Sequence, residues 1–126
     1  MKAIIVTAGN VISMTDVAEN GEPLYQIVRN AIGGYMENVY PKGLPEGYVM
    51  IVDEEGKLKG NPINQVGSYL YQSHLHGDPI VGDVIILKLG IYQGEYDIVG
   101  IPDDEANKLM NELFSNLNRG ETDEED

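Results

Sequence analysis

Three continuous apolar runs constrain this chain more than any other feature. Ala3-Ile4-Ile5-Val6, Tyr48-Val49-Met50-Ile51-Val52 and Val84-Ile85-Ile86-Leu87 are short, unbroken and rich in β-branched side chains. Fully buried strands read this way, whereas an amphipathic helix or a half-exposed strand interleaves polar residues. Gly9-Asn10 follows the first run and turns it into a hairpin whose second arm is Val11-Ile12-Ser13-Met14. Gln93-Gly94 joins strands 84–89 and 95–100 into another hairpin. Asp53-Glu54-Glu55-Gly56-Lys57 reads as a turn in which Gly56 is free to take positive φ, with Leu58-Lys59-Gly60 briefly continuing a hairpin.

Helical spacing appears twice. Leu24, Ile27, Val28, Ala31 and Ile32 recur at i, i+3, i+4, i+7 and i+8, so residues 23–32 form a helix with one buried stripe. Pro23 suits its first turn and Gly33-Gly34 its C-terminal cap. The second stripe is Ala106, Leu109, Met110, Leu113, Phe114 and Leu117, opened by the acids Asp103, Asp104 and Glu105 and stopped at Gly120. Between the two lie an extended segment, Tyr35 to Tyr40, and a short helix, Gln65 to Gln72, capped by Asn64. The segment from His74 to Pro79 reads as irregular.

These elements predict one α+β domain, a mostly antiparallel β-sheet with about two main helices packed on it, over residues 1–118. Residues 119–126 hold no apolar side chain beyond the helix stop and are expected to be an acidic, disordered tail. That tail is either solubilising or a segment that docks on a basic partner.

The net charge is −13 and is unevenly placed. Residues 1–94 hold 10 acids and 6 bases, while residues 95–126 hold 11 acids and 2 bases. This sign argues against direct nucleic-acid binding, which needs phosphate neutralisation, and against anionic lipid. No apolar run approaches the ~20 residues that span a bilayer. The N-terminal residues look like a strand rather than a signal peptide, so a cytoplasmic location is expected.

Catalytic equipment is sparse. With no cysteine there are no thiol nucleophiles, disulfides or cysteine metal sites. Ser13, Ser68, Ser73 and Ser115 sit in no nucleophile elbow, and there is no glycine-rich phosphate loop. The histidines are His74 and His76; in an extended segment they and Asp78 share a face and could ligate a transition metal, the alternative being solvated histidines in a polar loop. No cofactor is expected. Eight tyrosines against one phenylalanine point either to a half-buried sheet edge or to a contact surface, with Tyr35, Tyr40, Tyr69 and Tyr71 flanking loops.

Four short motifs occur in order: Ile32-Gly33-Gly34-Tyr35-Met36-Glu37-Asn38-Val39, Asp53-Glu54-Glu55-Gly56-Lys57-Leu58-Lys59-Gly60, Pro62-Ile63-Asn64, and Gly77-Asp78-Pro79-Ile80-Val81-Gly82-Asp83-Val84. In order and spacing the chain resembles the small family labelled domain of unknown function 3846, found in phages, plasmids and bacterial genomes. The resemblance covers roughly residues 1–100 and leaves the final helix and tail outside. The chain departs from the family pattern at Asn61, where an apolar residue is usual. The resemblance implies a phage or mobile-element setting and an accessory protein, and it brings no catalytic residues. A ligand of such a protein would be sought where the motif loops converge, at Tyr35, Lys59, Asn64 and Asp78.

The leading expectation is a non-enzymatic binding protein acting on a host factor, most concretely a counter-defence inhibitor, by protein–protein binding or by DNA mimicry. The alternative is a sponge for a nucleotide-like signal, with tyrosines for stacking and Lys59, Arg29 or Lys88 for phosphate. A further alternative is a metal-dependent enzyme using His74, His76 and Asp78. The final helix or an exposed strand edge could also support a homodimer.

Overall fold

The computed structural model describes residues 1–125, excluding the side chains at 74, 114 and 116–125. The elements are β1 (Lys2–Val6), β2 (Ile12–Asp16), α1 (Gly21–Ile32), β3 (Met36–Val39), β4 (Tyr48–Asp53), α2 (Gln65–Leu70), α3 (Ser73–His76), β5 (Val84–Tyr92), β6 (Glu95–Val99) and α4 (Asp103–Glu125). All the strand pairings are antiparallel, in a six-stranded sheet of order β2-β1-β5-β4-β3 with β6 added along β5. This is the single-sheet α+β architecture that the apolar runs predict.

The runs carry no polar interruption because the sheet is covered on both faces. Ile4, Val6, Met50, Val52, Val84 and Ile86 face one way, onto Val66 and Leu70 of α2 and Ala106, Leu109 and Leu113 of α4. The intervening residues Ala3, Val49, Ile51, Ile85 and Leu87 face the other way, onto Leu24 and Val28 of α1. Period-two alternation in a strand sends neighbours to opposite faces, so every residue of such a run is apolar. Each fully buried isoleucine or leucine contributes on the order of 1.5–3 kcal/mol relative to its exposed state.

β5 is the central strand and serves two sets of neighbours. Its first half lies between β1 and β4. Lys88 is paired with Tyr48 on one side and Val99 on the other, so β6 continues the edge that β1 leaves. The Lys2–Ile101 bridge joins the two ends. Beyond Lys88 the β5–β6 arm has less cover, and the paired residues Ile91 and Tyr96 are exposed.

Several expectations need correction. Residues 54–60 do not continue a hairpin: they wind into successive turns, with the Lys59 amide bonded to the Glu55 carbonyl and the Asn61 amide to the Gly56 carbonyl. The Asp53 carboxylate drives this by accepting the Glu55 amide at 2.9 Å and pairing with Lys59. Gly60, not Gly56, takes the positive φ, at 71°. Gly56 is instead required for space, since a Cβ there would lie 2.9 Å from the Val81 side chain. Residues 73–76 form the single turn α3 rather than an extended or irregular stretch, entered through Gln72 at φ 58°. α4 runs to Glu125, so Gly120 does not end it; a glycine inside a helix costs only about 1 kcal/mol relative to alanine. The expected disordered tail, residues 119–126, falls outside the residues whose side chains are described.

Candidate functional site

The loops carrying the four motifs converge at one corner of the sheet, beyond the ends of β1, β3 and β4. Asn64 is its centre and is fully buried. Its Oδ1 accepts the Gly67 amide at 2.9 Å, capping α2 as its position predicts. Its Nδ2 donates to the carbonyls of Val6 and Gly82, both at 2.9 Å. One amide side chain thus ties β1, α2 and the approach to β5, with no polar group left over. Asn61 lies over Gly56 and Gly82, the latter allowing a Cβ only 3.1 Å from the Asn61 amide nitrogen.

The end of α1 meets the turn after β4 at a second fixed point. Gly33 caps α1 in the left-handed region at φ 72°. Gly34 then passes so close to an ion pair that a Cβ would lie 2.6 Å from both Asp53 Oδ1 and Lys59 Nζ. Asp53 and Lys59 are 2.7 Å apart, with the Asp53 side chain almost wholly buried. The bond from Lys59 holds the Asp53 carboxyl below its usual range against an opposing burial effect. The same contact raises the Lys59 ammonium. The Gly33-Gly34 pair is therefore a cap followed by a clearance.

Beside this corner lies an open cleft of about 100 Å³. One wall is β3, through Glu37 and Val39. The floor is Val52 and Asp53 of β4 with Glu54, and the far wall is the strap Asp78–Val81 with Lys57 and Tyr71. The strap is stitched in place by Ser68, whose hydroxyl accepts the Ile80 amide at 2.9 Å, and by Ser73, whose hydroxyl donates to the Asp78 carbonyl at 2.8 Å. Lys57 pairs with Asp78 across the cleft rim and holds its carboxyl below the usual range. Glu37 and Glu54 are exposed and, among the described residues, carry no ion pair.

The sequence candidates are distributed unevenly over this geometry. Asp78 lines the cleft. Lys59 lies behind it, committed to Asp53. Asn64 is a buried structural residue with every polar group satisfied. Tyr35 precedes β3 and is 69% exposed. His76 is occupied: its Nε2 donates to the Tyr71 carbonyl at 3.1 Å, its Nδ1 accepts the Asp78 amide at 3.3 Å, and its ring meets Tyr71 edge-on. The shared face proposed for His74, His76 and Asp78 depended on an extended backbone, which α3 replaces; the His74 side chain lies outside the description. Among the described residues no group of three His, Asp or Glu side chains is arranged to hold a metal ion.

The three cations suggested for phosphate do not come together. Arg29 pairs with Glu22 on α1, Lys59 with Asp53, and Lys88 with Glu105 of α4 at 2.7 Å. Lys88 and Glu105 belong to a separate cluster that clasps α4 to β4, where Tyr48 donates to Glu105 at 3.2 Å and has its phenol pushed up to about 12 by burial and by that bond. Sequence reasoning missed Glu37, Glu54 and Lys57 as cleft residues. Period two in β3 puts Glu37 and Val39 on one face, but nothing local says that β3 is the sheet's edge.

No helix among the described residues is long and apolar enough to cross a membrane. No curated protein and no solved structure matches the chain. A family match does exist, and it reaches further than the motifs alone suggested, taking in the start of α4. In the structure Ala106, Leu109 and Leu113 of that helix belong to the same core as the strands. The match runs over residues 1–114, and the chain belongs to the family described as Domain of unknown function (DUF3846).

Proposed function

We propose that this chain is a non-enzymatic binding protein that engages a basic segment of a protein partner at the cleft between β3 and the 78–81 strap. Its most concrete form is an inhibitor of a host factor, in the mobile-element setting that the family resemblance implies. The observation that carries the reading is the charge of the cleft. Its lining holds the carboxylates Glu37, Asp53, Glu54 and Asp78 against the ammonium of Lys57. Two of the four are compensated, Asp53 by Lys59 and Asp78 by Lys57, which leaves Glu37 and Glu54 to face a partner. Opposite charge across an interface raises the association rate and rejects wrong partners.

The same charge weighs against a nucleotide-like ligand, because Arg29, Lys59 and Lys88 lie apart, each beside a carboxylate, and do not converge on the cleft. It also favours a local contact over DNA mimicry, which needs carboxylates spaced along a whole face. The test is capture from a bacterial lysate at low salt, with the intact chain and with a Glu37→Gln/Glu54→Gln double variant as bait. A basic protein should be recovered by the former and lost with the latter or with added salt. Equal recovery by both baits, or recovery of no protein, would sink the reading.

A further inference from the structure

We infer that the outer edge of β3 is the rail on which that basic segment lies, paired with the sheet as an added strand; this rests on the acidic-cleft reading above. The hydrogen-bond phase of β3 is set by the Glu54 amide, which donates to the Tyr35 carbonyl at 2.8 Å. Register runs Met36 opposite Asp53, Glu37 opposite Val52, Asn38 opposite Ile51 and Val39 opposite Met50. In an antiparallel pair, hydrogen-bonded and non-bonded positions alternate. Glu37 and Val39 therefore direct their amides and carbonyls to β4, while those of Met36 and Asn38 point away from the sheet. β3 ends the strand order, and among the described residues no strand pairs with that edge.

The side chains above this edge select the occupant. Glu37 and Val39 stand on the cleft face, so an added strand would place every second side chain over the cleft, near Glu37 and Glu54, which carry no ion pair among the described residues. Tyr35 and Tyr40 flank the strand at 69% and 59% exposure, amphipathic surfaces suited to a contact. Edge strands are commonly masked by charge. Here the charge is negative and uncompensated, so it repels another copy of this chain, whose net charge is −13, and attracts a strand with Lys or Arg at alternate positions. The opposite edge, β2, differs in this respect, since its carboxylate Asp16 is already paired with Lys2. Strand addition takes affinity from main-chain bonds and specificity from alternate side chains, and the β3 edge supplies both.

The experiment uses the full chain and a short, end-blocked peptide of alternating Lys and Thr. Two further peptides carry N-methyl groups on the Lys amides or on the Thr amides. The parent peptide should bind at low salt and slow hydrogen exchange at the Met36 and Asn38 amides. One methylated isomer should bind more weakly by roughly fivefold for each hydrogen bond lost, while the other retains binding. If the parent binds but both methylated peptides bind equally well and exchange at Met36 and Asn38 is unchanged, strand addition is wrong and the acidic cleft stands. If none of the peptides binds, the cleft reading falls and takes the rail with it.

Discussion

Asn64 and Asp78 both lie between β4 and β5, yet their surroundings differ. Asn64 is fully buried and spends its whole side chain on Val6, Gly67 and Gly82. Asp78 is exposed on a cleft rim, its carboxylate tied to Lys57. A buried amide is expensive to leave unpaired, so its neighbours are dictated by architecture. An exposed ion pair contributes little to stability and can exchange partners, so its role can be recognition. The corner and the cleft are neighbours in space: the corner holds segments together, and the cleft is where we propose that a partner binds.

The largest break in that contrast should come from Asn64→Ala. It strands two carbonyls and one amide in a buried site and should cost roughly 3 kcal/mol, read by urea denaturation. A mild effect would mean that the corner can relax, contrary to its packing. Gly34→Ala comes next. The added methyl would sit 2.6 Å from both partners of the Asp53–Lys59 pair, and the forced displacement should cost about 1–3 kcal/mol.

The same pair can be probed by pH. A carboxyl whose folded-state pKa is depressed stabilises the fold above its unfolded value and loses that contribution as pH falls. For Asp53 the loss should therefore occur below about pH 4, and Asp53→Asn should flatten stability there. The raised Lys59 ammonium has the opposite sign: its share is complete below the ordinary lysine value, about 10.5, and disappears only above it. Tyr48→Phe removes one bond to Glu105 and should cost about 1 kcal/mol without touching the cleft. The smallest stability effect belongs to Glu37→Gln/Glu54→Gln, which should stay within about 0.5 kcal/mol of the parent in the same denaturation assay. If that double variant unfolded readily, the cleft would be structural like the corner, and the division between them would fail.

The secondary structure was legible where local signals were strong. The three apolar runs, the α1 stripe with its Gly33 cap and the Asn64 cap are all written in residue order and spacing, and each is present. The segment 54–60 misled because its winding depends on a carboxylate and an ammonium meeting across the turn, which propensity does not encode. The turn at Ser73–His76 misled for a similar reason, since it is held by Gln72 in a left-handed conformation and by bonds to the strap.

From residue order alone came the class of fold, the alternation that buries both sheet faces, the cap at Asn64 and the acidity of the whole. Tertiary structure alone decided that β3 is an edge, that Arg29, Lys59 and Lys88 are scattered and each paired with a carboxylate, and that Glu37 and Glu54 are left over a cleft. The physical reason is range. Burial pattern and capping act over a few residues and leave a local signature, whereas strand order and ion pairing depend on which distant segments meet.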